Sequence, residues 1–231
     1  MRAVFFDVGG TLVHIDHARV ARAVREVLGR ELAVDDFAAA EYAGRAAMEA
    51  FIAGHPSSTD AHRWDANFRG MLDALGVSGD AFQRVVPALV AAHRQRHLWS
   101  VVPPGTVEAL DALIAAGWYV GCVSNADGKV DRLLDDLGLL GRLRFVIDSG
   151  VVGIEKPDPR IFAMAVERAG IPAEQTYYVG DIYAIDVIGA RNAGLVPVLL
   201  DPLGRYAGLG CRTTPGVPRF CRDLVSLRDA A

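Results

Sequence analysis

Four sets of polar residues in this sequence sit where apolar runs give out. Asp7 follows AVFF, Ser124 and Asn125 follow WYVGCV, Lys156 lies in GIEKPDP, and Asp181 follows TYYVG. With the glycine turn Gly9, Gly10 and Thr11 behind Asp7, they supply carboxylates, a hydroxyl, an amide and an ammonium. That is a kit for holding a phosphate beside a hard cation. Mg²⁺ takes oxygen ligands and bridges one or two carboxylates to substrate phosphate, a role that suits Asp7 and Asp181. Lys156 and Ser124 could neutralise and hydrogen-bond a phosphoryl group as its charge develops. Lys156 is one of only two lysines, with Lys129, among 24 basic residues, so a function that needs a lysine has two candidates.

For these residues to meet, the apolar runs must be neighbouring strands of one sheet, because ligands in open parallel sheets bind outside the carboxyl ends of the strands. The pattern after Pro103 fits. Helical periodicity over Val107 to Ala116, Gly128 to Leu137, Pro159 to Ala169 and Ala184 to Ala193 alternates with apolar runs over Trp118 to Val123, Phe145 to Ile147, Thr176 to Val179 and Val196 to Leu200. Such alternation predicts a doubly wound α/β fold with a parallel sheet. From Asp16 to Trp99 the reading is all helix, with Asp16 as N-cap, a second helix from about Asp35, a third over Ala61 to Leu75, and a fourth over Asp80 to His97 that Pro87 should kink or divide. The helical segment reads as an insertion, giving a core of residues 1–14 and 101–231 and an all-helical unit of 15–100. Leu203 to Pro218, rich in Gly, Pro and Arg, reads as a surface loop, and its Gly208-Leu209-Gly210 lacks the rest of a dinucleotide fingerprint.

Composition narrows the function classes. A chain of 231 residues with 52% hydrophobic content can bury a substantial core. A net charge of −4 gives no basic footprint for nucleic acid. Cys122, Cys211 and Cys221 form no CxxC pair, so neither a disulfide framework nor a cysteine zinc site is expected. No apolar run reaches membrane-spanning length, and the opening MRAVFFDVGGTL has no signal-peptide core, so the expectation is a cytoplasmic protein without nucleic-acid or membrane partners.

In this order and spacing, DVGGT, the strand-end Ser124, KPDP around Lys156 and GDIYAID from Gly180 to Asp186 resemble the four motifs of the haloacid dehalogenase-like (HAD) hydrolases. PPGTVEAL, VSNADGKV and EKPDPRIF resemble the family too, and the inserted helices resemble its helical cap of the first type. The resemblance implies a Rossmann-like core in which Asp7 is the nucleophile of a Mg²⁺-dependent phosphatase, forming an aspartyl intermediate that water hydrolyses. It implies metal ligation by Asp7, Asp181 and the Gly9 carbonyl, with Asp186 supporting the metal or the lysine. Gly10, Thr11, Ser124, Asn125 and Lys156 would hold a small phosphorylated substrate, Lys156 also orienting Asp7. Ser124 and Asn125 could at the same time cap the helix expected near Asp127.

One position departs. Phosphatases of this family carry a second aspartate two residues after the nucleophile, which protonates the leaving oxygen and then activates water; here that residue is Gly9. General acid help is worth roughly 10²–10⁴-fold, so the expectation is reduced or specialised turnover, with a leaving group that needs little protonation or with another acid. His14, His55, His62, His93 and His97 are candidates for that acid, each more commonly a solvated or structural histidine. Trp64, Phe68 and Trp99 could face a cleft, although such spacings usually mean core. Family members acting on other bonds do not fit. Dehalogenases use no metal and lack the aspartate present as Asp181, and phosphonoacetaldehyde hydrolases need a cap lysine where this chain has none before Lys129. DVGGT also resembles the phosphate loop of sugar kinases, but KPDP and GDIYAID would then have no role. The remaining alternative is a metal- and phosphate-binding module with little turnover.

Overall fold

The computed structural model describes residues 2–55, 58–206 and 208–229. The chain forms two compact units, Met1–His14 with Val102–Ala231, and Ile15–Val101.

In the first unit, six strands among the described residues pair in parallel in the order β5-β4-β1-β6-β7-β8. They are β1 (Ala3–Phe6), β4 (Tyr119–Ser124), β5 (Val146–Asp148), β6 (Thr176–Gly180), β7 (Val196–Leu200) and β8 (Arg212–Thr214), while β2 (His14–Ile15) and β3 (Trp99–Val101) make a separate two-stranded sheet. The four residues of β1 are all buried, as expected of a strand with neighbours on both edges and both faces covered. Register sets the site. Phe6 pairs with Cys122 of β4 on one side and Val179 of β6 on the other, so the residues that follow on all three strands emerge at one end of the sheet.

Parallel neighbours require crossovers, and helices supply them. The most fully specified one follows Lys156: Asp158 accepts the Arg160 N–H as N-cap, Pro159 occupies the first helical turn, and Gly170 at φ 63° closes the helix Pro159–Ala169. Its Ile161, Phe162 and Ala165 join Phe5, Phe145, Ile147 and Tyr178 in one apolar cluster, with Phe5 edge-on to Phe145 and Phe162 edge-on to Tyr178.

The second unit contains α1 (His17–Leu28), α2 (Phe37–Gly54), α3 (Asp60–Ala74) and α4 (Gly79–Gln95). Asp16 Oδ1 accepts the Arg19 N–H at 3.1 Å, the capping expected of it. Val24, Phe37, Phe68, Leu72, Phe82 and Leu89 form the unit's own core. Trp64 and Trp99 pack on that core around the buried Phe68, which settles these three aromatics as packing residues of the unit. α4 runs undivided through Pro87. The proline removes one backbone donor, and the flanking Phe82, Val85 and Leu89, all buried, hold the turns on either side.

The remaining helices belong to the first unit: α5 (Thr106–Ala115), α6 (Val130–Asp136), α7 (Ser149–Val152), α8 (the Pro159–Ala169 helix), α9 (Ile188–Asn192) and α10 (Val217–Asp229). Two expectations are corrected here. The stretch expected to be a loop over Leu203 to Pro218 contains β8, paired with β7, and the start of α10, whose Phe220 packs edge-on to Tyr177. The helix expected over Ala184 to Ala193 begins instead as a wider π-helical turn, Tyr183–Val187, before α9. No helix among the described residues is long and apolar enough to cross a membrane.

Candidate active site

At the carboxyl end of β1 the chain turns back on itself. The N–H groups of Thr11 and Val13 donate to the Val8 carbonyl, and the Gly10 N–H donates to Val13 O. Asp7, at the base of this turn, donates its own N–H to Val179 O of β6 at 2.8 Å, which fixes its backbone against the neighbouring strand. Gly10 has φ +83°, and a Cβ there would overlap the Asp181 carboxylate. The glycine turn therefore makes room for a carboxylate that arrives from β6.

Asp181 follows β6, and its orientation is set by Asp186. Asp186 Oδ2 accepts the backbone N–H groups of Asp181 at 3.1 Å and Ile182 at 3.0 Å, so the carboxylate one turn later pins the bend that presents Asp181. The π-helical turn is what brings Asp186 back to this position. Gly180 again allows the approach, since a Cβ at that position would stand 2.3 Å from the Asp186 Cγ and overlap it.

Lys156 joins the three strands. Its ammonium donates to Asp7 Oδ1 at 2.6 Å, Asp186 Oδ1 at 2.8 Å and the Tyr178 hydroxyl at 2.9 Å, so its three N–H groups meet three acceptors. The side chain is only 2% exposed. Asn125 holds the lysine's backbone from the β4 loop: its Oδ1 accepts the Lys156 N–H at 2.7 Å and its Nδ2 donates to Lys156 O at 3.0 Å. The Lys156-Pro157 peptide is cis.

Burial raises the Asp7 carboxyl to about 6, against the opposing pull of Lys156. Burial also lowers Lys156, but the Asp186 and Asp7 carboxylates outweigh it and hold the ammonium well above its ordinary value. Asp7, Asp181 and Asp186 are buried, and each offers an oxygen within 4.8 Å of the other two. Three carboxylates against one ammonium leave two negative charges in excess, and a divalent cation with its preference for oxygen ligands fits that donor set.

The remaining sequence-selected residues fall around this cluster. Ser124 ends β4 and is 4% exposed; Thr11 is fully buried, and its hydroxyl has no partner among the described residues. Ser124 and Asn125 do not cap the next helix. That helix, α6, starts at Val130, and the Asp148 carboxylate accepts the N–H groups of Gly128 and Val130 instead. Asp148 and Tyr178 were not singled out from the sequence. Asp148 ends β5 as the others end their strands, a signal that could have found it. Tyr178 donates its hydroxyl to Val123 O at 2.9 Å while accepting from Lys156, and only the alternation of β6 side chains hinted that it faces inward. Lys129 pairs with Asp127 on the surface, as expected of a solvated lysine.

The histidines divide between surface and packing. His55 stacks on Phe51 and donates to its carbonyl, His62 pairs with Thr59, and His93 and His97 lie against each other and Trp99. His14 is half-buried on β2.

Residues 1–194 match the family described as haloacid dehalogenase-like hydrolase. A phosphoserine phosphatase of Thermus thermophilus is 31% identical over 224 residues, covering 87% of this chain and 89% of that protein. Haloacid dehalogenase-like hydrolase domain-containing protein 3 of Danio rerio is 38% identical over 92 residues, 40% of this chain, and the match spans only 38% of that protein's length. Among solved structures, a HAD phosphatase from Thermococcus onnurineus superposes with a TM-score of 0.61 at 24% identity, covering 97% of this chain and 98% of that one. The L-2-haloacid dehalogenase of Xanthobacter autotrophicus superposes with a TM-score of 0.64 at 18% identity, covering 97% and 98%. Phosphatase and dehalogenase share this fold equally, so the fold alone does not choose between them. With residues 1–194 matching the family, a parallel Rossmann-like core and an inserted helical cap domain, the chain belongs to the haloacid dehalogenase-like hydrolases.

Proposed function

We propose that this hydrolase is a Mg²⁺-dependent phosphatase of small phosphorylated molecules, with Asp7 as the nucleophile. The observation that carries the reading is the buried Asp7, Asp181 and Asp186 cluster with Lys156 bonded to two of its members. A hydrolase that works without metal has no use for the uncompensated negative charge that Asp181 adds to this cluster. Relatives named phosphoserine phosphatase and, at 30% identity over 86% of this chain, phosphoglycolate phosphatase support the substrate class.

In this reading Asp7, Asp181 and the Gly9 carbonyl would hold the cation. Asp186 adds its charge while its oxygens accept from Lys156 and from the backbone of Asp181 and Ile182. Mg²⁺, when bound, supplies positive charge to phosphoryl oxygens and to the nucleophile's carboxylate. Lys156, fixed on Asp7 Oδ1, orients that carboxylate toward phosphorus and offers the phosphoryl group its charge. Ser124, Asn125 and the Gly10-Thr11 turn bind the remaining phosphoryl oxygens, and the unpartnered Thr11 hydroxyl is a donor for them. An Asp7 oxygen bonds to phosphorus as the ester bond breaks, and water then hydrolyses the aspartyl phosphate.

Turnover of phosphate esters with Mg²⁺, compared between the natural protein and Asp7→Asn, tests the reading. Loss of all turnover in Asp7→Asn supports it; turnover that survives, or halide release from haloacids without metal, sinks it. Gly9 favours one rival, a binding module without turnover, which predicts that the natural protein hydrolyses nothing while still binding Mg²⁺ and phosphate.

A further inference from the structure

When a P–O bond breaks, its electron pair goes to the leaving oxygen. An alkoxide needs a proton at that moment, whereas a carboxylate, a phenolate or a phosphate does not. The protons held around Asp7 therefore decide which leaving groups this site can release.

Apart from Asp7 and Asp181, which the proposed function assigns to the cation as carboxylates, none of the side chains around the nucleophile has a proton to give. Lys156 commits its three N–H groups to Asp7, Asp186 and Tyr178, and losing one would strand two buried carboxylates without their cation. The Tyr178 hydroxyl donates to Val123 O. Asp186 is an acceptor from both backbone and lysine, and Asp148 accepts three backbone N–H groups, from Gly128, Val130 and Gly150. Asn125 is not an acid, and both ends of its amide are engaged by Lys156. The hydroxyls of Ser124 and Thr11 are no more acidic than a departing alcohol, so giving it a proton would only move the alkoxide onto the protein. On the turn itself the residues after Asp7 are Val8, Gly9 and Gly10, which carry no ionisable group. Gly9 is not among the glycines with positive φ, so its backbone conformation does not by itself require glycine.

From this we infer that the substrates are phosphorylated molecules whose leaving oxygen is weakly basic: acyl phosphates, aryl or enol phosphates, or phosphoanhydrides. The inference rests on Asp7 being the nucleophile. The first step is then balanced without proton transfer. An Asp7 carboxylate oxygen bonds to phosphorus, the P–O bond to the leaving group breaks, and that oxygen departs with the electron pair as an anion. In the second step a water oxygen bonds to phosphorus, the Asp7–phosphorus bond returns its pair to the carboxylate, and the water's proton passes to solvent.

The test is kcat/KM with Mg²⁺ for acetyl phosphate, a series of substituted phenyl phosphates and two alkyl phosphates, measured for the natural protein, Gly9→Asp and Asp7→Asn. In the natural protein kcat/KM is expected to fall steeply as the leaving group becomes more basic, leaving alkyl phosphates at least about 10²-fold below acetyl phosphate, the lower end of what a general acid contributes. Gly9→Asp should raise the alkyl phosphates relative to acetyl phosphate, flattening the dependence. A flat dependence in the natural protein overturns the inference, because an acid from His14 or the helical unit would then be at work; this arm stands whether or not Gly9→Asp folds. If Asp7→Asn abolishes turnover while the dependence is flat, only this inference falls. If Asp7→Asn remains active, the nucleophile reading falls with it.

Discussion

A Cβ placed on Gly10 would stand 2.2 Å from Asp181 Oδ2, and Gly10 itself has φ +83°. The turn after β1 and the carboxylate after β6 thus occupy one space that only glycine leaves open. Gly10→Ala is expected to push the Asp181 carboxylate away and weaken Mg²⁺ binding by about 10–100-fold, the usual cost of disturbing what positions a metal ligand. Isothermal titration with Mg²⁺ measures this, and an unchanged affinity would show that Asp181 is not a ligand.

Lys156 shields two buried carboxylates from each other. Replacing it by Met leaves Asp7 and Asp186 without their shared cation, and the metal-free protein is expected to lose about 3–5 kcal/mol of stability, as when one partner of a buried ion pair is removed. Urea denaturation in EDTA provides the number. A loss below about 1 kcal/mol would put this cluster in the class of exposed pairs.

Tyr178 ties the lysine to the carbonyl immediately before Ser124. Tyr178→Phe keeps the ring packing on Phe162 and removes the hydroxyl. The expected result is a loss of about 1–3 kcal/mol in stability, from the acceptor and donor left unpaired, with a fall in kcat and little change in KM. A variant whose kcat matches the natural protein would reduce Tyr178 to a packing residue.

The three thiols should differ in reactivity. Cys122 and Cys221 are buried and Cys211 is half-buried. Burial pushes the Cys221 thiol up to about 12 and Cys122 higher still, so neither forms thiolate near neutrality. Iodoacetamide at pH 8 should add one group to the native protein, at Cys211, and two more after denaturation. Intact mass and peptide mapping read this out; native alkylation of Cys122 would contradict the packing beside Asp7.

What the sequence disclosed about this site followed from one rule, that chemistry collects at the carboxyl ends of parallel strands. Asp7, Ser124, Lys156 and Asp181 were visible because each interrupts or follows an apolar run. Tyr178 was not, because its hydroxyl acts inside the core, where a strand tyrosine reads as a hydrophobic residue. Asp186 was legible as a residue near the site, but its grip on the backbone of Asp181 depends on the π-helical turn, which has no helical periodicity of its own to detect. β8 was missed for another reason. Arg-Thr-Thr carries no apolar pattern, and only its pairing with β7, a contact made by the fold as a whole, makes it a strand.

That same strand has a consequence at high concentration. β8 closes one edge of the sheet and β5 the other, and each is three residues long. A sheet edge recruits another chain through its row of unsatisfied amides and carbonyls, and rows this short give a second molecule little to register against. The buried centre can be strongly apolar without exposing a template for fibrils, so crowded solutions of the folded protein should resist edge-to-edge aggregation.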